Sequence, residues 1–553
     1  MKNIVLLEFQ LEERHYLYRA GFFPYILGLA RHLGWRNSWM VLRVPWRCYD
    51  TRGQRLSDLP QSQINALKRE MTESVPDVVI TNSRLSNRLL AKFRGFLPDS
   101  RIVDLTSRKK ITDRQLRQMG IEPRSAEAEN IARAWGILNY NTTLDEAVQI
   151  ISGAEDFHQG GDRDRLLLNA IQPCYEKIFL QKERDGFKCP PEALAVSLSC
   201  PHTSPVVKNK FYKGLDSQIV RDHLGCSFCR RHSKPRRDES KRPSFVSEIK
   251  RVLRQIEAHQ KANPDISRFE YRFEESVFNL KLAGFLEACL ERNLKPSTFT
   301  TMLRADTLLS QRGDFEKALA GMLKAGHRLE LISIGAENFS PRENERFNKH
   351  LSVDQIWLCY EMIKDFESRF SGSFGCLTKG YFVAILFTPW TTPGDLKVNI
   401  EAAKRLGADW LKTAAGTRLM LWEDAAITEI ARHDNLLAEK FGSVADVSSV
   451  SDVVLPEIRE LPWRFADRRT ELIHRILIRL NPIPEQAVFS KDDHLLQEVR
   501  RLQRNLGKEL AEYYVGLAEA VVDAVVALGH QASPEEVFAH IAAKSLPLSG
   551  EDK

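Results

Sequence analysis

The stretch that decides the fold of this chain is Ala195-Val196-Ser197-Leu198-Ser199-Cys200-Pro201-His202, followed at residues 225–229 by Gly225-Cys226-Ser227-Phe228-Cys229. The first part is a short apolar run, which predicts a strand with Cys200 just beyond its carboxyl end. The second part is a Cys-x-x-Cys pair in a polar loop. Three thiolates can hold a four-iron cluster and leave one iron without a protein ligand, where chemistry can occur. A set of four ligands would instead indicate electron transfer or a structural metal.

Zinc is the alternative metal for this loop. The residues with suitable donor atoms exceed what a structural tetrahedral site needs, namely Cys200, His202, His223, Cys226, Cys229 and His232. The cysteines alone therefore leave zinc and an iron–sulfur cluster both open. Cys189 competes with Cys200 as the first ligand, but it precedes the strand and is expected at the opposite end. The remaining cysteines are predicted to be buried small hydrophobes: Cys48, Cys174, Cys289, Cys359 and Cys376.

Length and composition limit the class of protein. A chain of 553 residues predicts roughly three domains, at about 150 residues per domain. The net charge of +7 is small beside 80 basic and 73 acidic residues, which argues against a dedicated nucleic-acid binder. No apolar run reaches the ~18 residues that span a bilayer, and nine scattered cysteines do not make a secreted disulfide framework. We expect a cytoplasmic protein with no nucleic-acid or membrane partner.

The first 125 residues alternate strand and helix signals. Apolar runs at 4–9, 38–44, 78–80 and 102–105 predict strands, with helices between them, which is typical of a flavodoxin-like parallel sheet. Ligands of such sheets bind beyond the carboxyl ends of the strands, so Glu8, Asn82 and Ser83 are candidate binding residues. No G-x-G-x-x-G follows the first strand, which leaves a dinucleotide site unsupported. No D-x-H-x-x-G run offers a histidine to a cobalt.

The rest of the chain divides into three further segments. Residues 126–185 are predicted to form a helical linker, and residues 431–553 a helical C-terminal domain. Between them, residues 186–430 alternate again, which indicates a full or partial (β/α) barrel with its active site at the carboxyl ends of the strands. The predicted barrel strands are residues 194–198, 267–273, 297–303, 329–334, 380–386 and 410–413.

Charged residues follow three successive barrel strands. Glu274 and Glu275 follow the second strand, Arg304 the third and Glu337 the fourth. Together they could bind a ligand that carries an ammonium and a carboxylate, because the planar fork of Arg304 suits a carboxylate. The alternative for each glutamate is a structural one, in which it caps a helix or pairs with a nearby lysine or arginine.

These residues resemble the radical S-adenosylmethionine (SAM) superfamily, in particular its members with an N-terminal cobalamin-binding domain. The likeness covers the barrel and, more loosely, the N-terminal sheet. It is carried by the ordered motifs Gly225–Cys229, Arg272–Phe278, Met302–Asp306, Ser333–Asn338, Asn348–Ser352 and Ala415–Thr417. One departure is the spacing: the family pattern is Cys-x3-Cys-x2-Cys, whereas residues 201–225 separate the first two cysteines here. Loop closure costs only about 0.6 kcal/mol per doubling of length, so this insertion is tolerable.

The resemblance implies three cofactors and their ligands. Cys200, Cys226 and Cys229 would hold a 4Fe–4S cluster, and SAM would chelate its fourth iron. The residues that would contact SAM are Phe228, on the adenine, and Glu274, Glu275, Arg304 and Glu337. Cobalamin would lie between the sheet and the barrel, with Glu8, Asn82 and Ser83 as its candidate contacts. The cofactors would carry the difficult chemistry, and the protein would position them.

The resemblance also implies an activity. An electron donor such as flavodoxin or ferredoxin would reduce the cluster, and SAM would be cleaved to a 5′-deoxyadenosyl radical. The expected enzyme is a methyltransferase acting on an unactivated carbon of a natural-product or peptide intermediate. One alternative keeps all three cofactors but rearranges or cyclises its small-molecule or peptide substrate. The other alternative is a zinc-stabilised, non-catalytic binding module.

Overall fold

A computed structural model of the chain describes part of its residues. The described ranges are 3–11, 27–28, 31, 36–44, 56, 58–81, 85–104, 173–175, 178–179, 192–194, 202–229, 245–273, 282–378, 380–417, 419–422, 425–438, 461, 463–480 and 510–545. The statements below concern these ranges alone.

The N-terminal sheet has five parallel strands in the order β4-β3-β1-β2-β5. Its strands are β1 (Asn3–Leu11), β2 (Arg36–Val44), β3 (Val78–Thr81), β4 (Arg101–Asp104) and β5 (Ile178–Phe179), with helices α1 (Gln61–Ser74) and α2 (Asn87–Arg94). The consecutive residues 4–7 are all fully buried, so both faces of the sheet are covered, as expected for a parallel sheet. The predicted α/β class with a parallel N-terminal sheet is confirmed.

Strand β5 was not expected from the sequence pattern. It lies within residues 126–185, where the pattern predicts helix, and it pairs with β2 through Met40 and Val41. Apart from β5 and residues 173–175, the predicted helical linker lies outside the described residues. The edge of the sheet is therefore completed by a short segment about 75 residues beyond β4, which a local pattern cannot reveal.

The direction of strand addition reverses at β1. Strand β2 lies on one side of β1 and β3 on the other, and such a reversal places a ligand crevice at the carboxyl ends of the two strands. Glu8 lies in β1, paired in register with Val41. Asn82 and Ser83 follow β3 directly but lie outside the described residues. The strand order therefore favours a ligand site at the carboxyl ends of β1 and β3, the edge where the sequence predicts one.

The second sheet is parallel and six-stranded, in the order β10-β9-β8-β7-β6, with β11 also paired to β9. Its strands are β6 (Glu192–Leu194), β7 (Phe269–Phe273), β8 (Ser297–Arg304), β9 (Arg328–Glu337), β10 (Phe374–Cys376) and β11 (Phe382–Ala384). The strands add in sequence order, as in a (β/α) barrel. No pairing between β6 and β11 occurs among the described residues, so closure into a full barrel is not confirmed.

Helices connect these strands and follow them. Their bounds are α3 (Gln218–Asp222), α4 (Phe245–Ala262), α5 (Leu282–Glu291), α6 (Ala305–Ser310), α7 (Arg312–Ala325), α8 (Pro341–Arg346), α9 (Val353–Arg369), α10 (Pro393–Leu406), α11 (Ala408–Ala415), α12 (Ala426–His433), α13 (Arg468–Leu480), α14 (Leu510–Leu528) and α15 (Pro534–Ser545).

The predicted strand at residues 410–413 is wrong, because these residues lie in α11. Trp410, Leu411, Ala414 and Ala415 are buried, and this spacing forms one face of a helix rather than one face of a strand. The indole Nε1 of Trp410 donates to the carbonyl oxygen of Phe382 at 3.0 Å, which fixes the helix against β11. The apolar pair Trp410-Leu411 is too short to distinguish the residue spacing of a helix from that of a strand.

The C-terminal helices pack against the barrel region. Buried residues of α13, α14 and α15 belong to the same hydrophobic core as those of β7, β8 and β9. Ion pairs between Lys397 and Asp523 at 2.6 Å and between Lys404 and Glu519 at 3.0 Å join α10 to α14. Helices α13, α14 and α15 lie within the predicted helical segment 431–553, which also contains an isolated antiparallel bridge between Leu437 and Trp463. None of the described helices is both long enough and apolar enough to cross a membrane.

Candidate functional site

The paired cysteines lie in a tight, buried turn. The backbone N–H of Cys229 donates to the carbonyl oxygen of Cys226 at 3.0 Å, and Gly225 opens the turn at a φ of 85°, which favours glycine. Cys226 is buried and Cys229 half-buried. The turn is held from two sides: Ser227 donates its N–H to Phe347 at 2.9 Å and accepts the N–H of Ile427 at 3.0 Å. We call residues 225–229 the cysteine loop.

The insertion before the cysteine loop folds into a closed hairpin-like unit. It contains two 3-10 turns, Val206–Lys208 and Lys210–Tyr212, followed by α3. Its ends meet, because Gly225 donates its N–H to the carbonyl oxygen of Ser204 at 2.8 Å and Val206 donates to His223 at 3.1 Å. The long spacing therefore returns the chain to the cysteine loop. Cys200 itself lies outside the described residues, which resume at His202.

The segment 347–350, after α8, clamps this arrangement. The side-chain amide of Asn348 donates to the carbonyl oxygens of Ser204 at 3.0 Å and Gly225 at 2.7 Å. His202 donates its Nε2–H to the carbonyl oxygen of Asn348 at 2.7 Å. Asn348 and His350 have φ values of 53° and 52°, in the left-handed region that such residues adopt at a cost of about 1–3 kcal/mol. Strained backbone therefore lies directly beside the cysteine loop.

Arg304, at the end of β8, contacts the cysteine loop. Its Nη1 donates to the Cys226 sulfur at 3.5 Å, and its Nη2 donates to the carbonyl oxygen of Lys349 at 3.0 Å. Its Nε and Nη2 bind the two carboxylate oxygens of Asp306 at 3.0 and 2.8 Å. Asp306 therefore occupies the fork that the sequence pattern assigns to a ligand carboxylate. The guanidinium is 8% exposed, so these contacts are made largely out of water.

Glu337, at the end of β9, pairs with Lys349. The Lys349 ammonium donates to Glu337 Oε1 at 2.7 Å, and both side chains are largely buried. Burial alone would lower the pKa of Lys349, but the Glu337 carboxylate and the Cys226 thiol raise it above its usual value. Lys349 is therefore a fixed cation at the site. The structural alternative for Glu337, pairing with a lysine, is observed.

Gly335 makes room for this ion pair. A Cβ at this position would lie 2.7 Å from Glu337 Oε1, closer than real Cβ atoms come, and 3.0 Å from Lys349 Nζ, so the two charged groups would have to shift. Glu337 itself has a φ of 65°, which turns the end of β9. The absence of a side chain at residue 335 is thus a requirement of the Glu337–Lys349 contact.

A second, fully buried ion pair lies behind the cysteine loop. Glu343 and Arg346 pair within α8, and Thr388 donates its hydroxyl to Glu343 Oε2 at 2.8 Å. The Arg346 guanidinium lies 4.6 Å from the ring centroid of Phe211 and 4.8 Å from that of Trp390. Burial raises the pKa of Glu343, and the Arg346 charge offsets this only in part.

The backbone of Arg346 also anchors the cysteine loop. The carbonyl oxygen of Arg346 accepts hydrogen bonds from the hydroxyls of Ser227 at 3.0 Å and Tyr212 at 2.9 Å. Phe228 packs edge-on against Phe347 at 5.2 Å and stays half-buried. Its exposed part is the surface that would contact adenine according to the resemblance.

The predicted site residues are thus only partly brought together. The structure places Cys226, Cys229, Phe228, Arg304 and Glu337 at the same edge of the second sheet. Cys200, Glu274 and Glu275 lie outside the described residues. Lys349, Asn348 and Gly335 are part of the site, although no role was predicted for them; a lysine gives no periodic signal that separates a buried cation from a surface one.

Two of the three histidines named as candidate zinc ligands make other contacts, and His232 lies outside the described residues. His223 bonds through Nε2 to the carbonyl oxygen of Cys226 at 2.9 Å, and His202 bonds to Asn348. Within the described ranges, no three His, Cys, Asp or Glu side chains are close enough to hold a metal ion. Cys174, Cys289 and Cys359 are buried, as predicted, Cys376 is half-buried, and Cys48 lies outside the described residues.

Comparison with known proteins gave a likeness to solved structures, and no family model or curated protein matches this chain. The chain is similar to the apo, selenomethionine-labelled structure of OxsB, a cobalamin-dependent S-adenosylmethionine radical enzyme, with a TM-score of 0.48 and 12% sequence identity. The alignment covers 98% of this chain and 75% of that chain. A likeness at this level assigns neither a function nor a residue role.

Proposed function

We propose that this chain is a cobalamin-dependent radical SAM enzyme whose cluster is held by Cys200, Cys226 and Cys229. The observation that carries the proposal is the contact between Arg304 and the Cys226 sulfur. It brings the cysteine loop to the carboxyl ends of β8 and β9, the edge where parallel β/α sheets bind their ligands. A Cys-x-x-Cys pair in an ordinary structural metal site has no need of that position.

The described residues fit an iron–sulfur cluster. Thiolates are the ligands that such clusters take, and the cluster they hold is anionic. Cys226 is buried next to two cations, Arg304 and Lys349, which would offset that charge in a poorly solvated place. His202 and His223 each use Nε2 in a hydrogen bond to a backbone carbonyl oxygen, so neither Nε2 is directed at a zinc ion, which favours the cluster over the zinc-stabilised module.

SAM would bind at the same edge. Phe228 would contact its adenine, and Glu274, Glu275, Arg304 and Glu337 its polar groups. Because Lys349 uses one oxygen of Glu337, we propose that the other oxygen accepts a hydrogen bond from SAM. Because Asp306 holds the fork of Arg304, that arginine would orient the site rather than clamp a carboxylate bidentately.

Cobalamin would bind at the carboxyl ends of β1 and β3, near Glu8, Asn82 and Ser83. When bound, the cluster would supply an electron that cleaves SAM to methionine and a 5′-deoxyadenosyl radical, and cobalamin would supply a methyl group. The protein's own residues would bind, orient and keep water from these groups. A one-electron donor of the flavodoxin or ferredoxin kind would reduce the cluster.

The reaction we propose is methyl transfer to an unactivated carbon of a natural-product or peptide intermediate. Rearrangement or cyclisation of such a substrate would use the same three cofactors. Product analysis with a methyl-labelled SAM distinguishes them, because only methyl transfer carries the label into the product.

Iron and acid-labile sulfide content after anaerobic reconstitution tests the proposal. About four irons and four sulfides per chain are expected, and Cys226→Ala is expected to lose them. Cys289→Ala is the matched control, because Cys289 is a buried cysteine on α5 and should leave the iron content unchanged. Stoichiometric zinc without iron in the wild type would overturn the proposal.

A further inference from the structure

We propose that two cations set the reduction potential of the cluster: Arg304, which contacts the Cys226 sulfur, and Lys349, whose backbone carbonyl holds Arg304. This inference rests on the proposed function, since it needs the cluster to be bound there. It assigns Lys349 and Arg304 as positioning residues that act on the cluster through Cys226 and its surroundings, in addition to any contact with SAM.

The first step is the contact between Arg304 and sulfur. Its Nη1 donates to Cys226 Sγ at 3.5 Å, within the range of N–H···S hydrogen bonds. Asp306 binds the opposite part of the guanidinium through Nε and Nη2, so Nη1 is left directed at the sulfur. A planar group bound at both ends keeps this orientation, which a flexible lysine would not.

The second step is the position of Lys349. Its backbone carbonyl accepts the Nη2 of Arg304 at 3.0 Å, and its buried ammonium donates to Glu337 Oε1 at 2.7 Å. The left-handed residues on either side, Asn348 and His350, turn the backbone so that Lys349 is buried rather than exposed. Gly335 leaves the space in which its ammonium reaches Glu337. Lys349 is therefore a second cation fixed by its surroundings.

The consequence follows from charge. One electron from a low-potential donor takes the bound cluster from its oxidised to its reduced state, with no bond made or broken and no proton moved. The reduced cluster carries one more negative charge, so neighbouring cations and N–H donors to sulfur stabilise it more than the oxidised form. Removing either cation should make the cluster harder to reduce.

The test is the midpoint potential of the reconstituted cluster, measured by a redox titration in the absence of SAM with the reduced cluster followed by electron paramagnetic resonance. Arg304→Gln and Lys349→Gln are each expected to shift the midpoint to more negative potential, and the double variant further. Arg304→Lys keeps the charge but loses the fixed donor, so its shift should be smaller than that of Arg304→Gln. Arg328→Gln is the matched control, because Arg328 lies at the far end of β9, paired with Glu330.

The outcomes separate this inference from the proposed function. Unchanged midpoints in variants with wild-type iron content would overturn the inference and leave the enzyme class standing. A wild-type protein that holds zinc and no iron would overturn both. If Arg304→Gln does not fold, Arg304→Lys and Lys349→Gln decide the question by the same readout.

Discussion

Asn348 donates its side-chain amide to the carbonyl oxygen of Gly225 at 2.7 Å, across 123 residues of sequence. Gly225 directly precedes Cys226, so this bond ties the segment after α8 to the start of the cysteine loop. The same amide reaches Ser204, near the start of the insertion. One side chain thus holds both ends of the loop that the cysteines need.

Replacing Asn348 should loosen the cysteine loop. Asn348→Ala loses the two hydrogen bonds that the amide donates and the two that its Oδ1 accepts from Asn209 and His350, each worth about 1 kcal/mol. It also places alanine at a φ of 53°, which costs about 1–2 kcal/mol more. Asn348→Gly loses the bonds but tolerates the backbone, so it should be the less destabilised of the two. Denaturant titrations of the apoprotein measure the difference. Equal losses in both variants would show that the left-handed backbone contributes nothing.

Gly335→Ala should disrupt the pair between Glu337 and Lys349. Alanine usually stabilises a strand position relative to glycine, but here its Cβ would collide with both charged groups. We expect a loss of about 1–3 kcal/mol, the usual cost of overpacking. Gly516→Ala, in α14 with open space around it, is the control and should be neutral or stabilising. A stabilised Gly335→Ala protein would contradict the observed contact.

Removing Arg346 should cost more than removing the charge of its partner. Arg346→Met leaves the Glu343 carboxylate buried without its cation, at a cost of about 3–5 kcal/mol. Glu343→Gln keeps an amide oxygen that can accept from Arg346, and the guanidinium keeps its contacts with the rings of Phe211 and Trp390, so its loss should be smaller. Thermal melts of the two variants rank them, and a milder effect of Arg346→Met would count against a charged Glu343.

The stability of the wild type relative to Glu343→Gln should depend on pH. Burial raises the folded-state pKa of Glu343 above its ordinary 4.5, so its contribution is fully present below about pH 4.5 and lost as pH rises through the folded value. The difference in melting temperature, wild type minus variant, should therefore fall as the pH rises above about 4.5. A difference that grows with pH would mean that the Arg346 charge outweighs burial.

Cobalamin bound to this chain should carry no histidine ligand from it. The sequence contains no D-x-H-x-x-G run, and Glu8, Asn82 and Ser83 offer oxygen and amide groups only. The electron paramagnetic resonance spectrum of the cob(II)alamin form should thus lack nitrogen splitting from an axial histidine. Nitrogen splitting from a histidine that persists when the buffer contains no histidine would contradict this prediction.

The sequence predicts the site residues at the strand ends, Arg304 and Glu337, better than the residues that bind them. Arg304 and Glu337 could be placed because each follows a long buried strand, and parallel strands end at one edge. Asp306 and Lys349, which hold them, depend on how a turn and the segment after α8 fold back. Asn348 belongs to a residue type that favours left-handed backbone, but nothing local distinguishes it from other asparagines.

Errors in the fold prediction have a similar cause. Strand β5 pairs with β2 although the two are far apart in the sequence. In α11 the apolar pair Trp410-Leu411 is too short to show a helical period, so the sequence pattern predicts a strand there. In both cases tertiary packing, rather than local propensity, selects the structure.

The most direct test of the account is the response of the reduced cluster to SAM. An iron without a protein ligand binds the amino and carboxylate groups of SAM, so the electron paramagnetic resonance signal of the reduced protein should change when SAM is added. The signal should be absent in Cys226→Ala and unaltered in Cys289→Ala. A reduced-cluster signal that SAM leaves unchanged would mean that all four irons are ligated by protein, and would contradict the open site on which the proposed function depends.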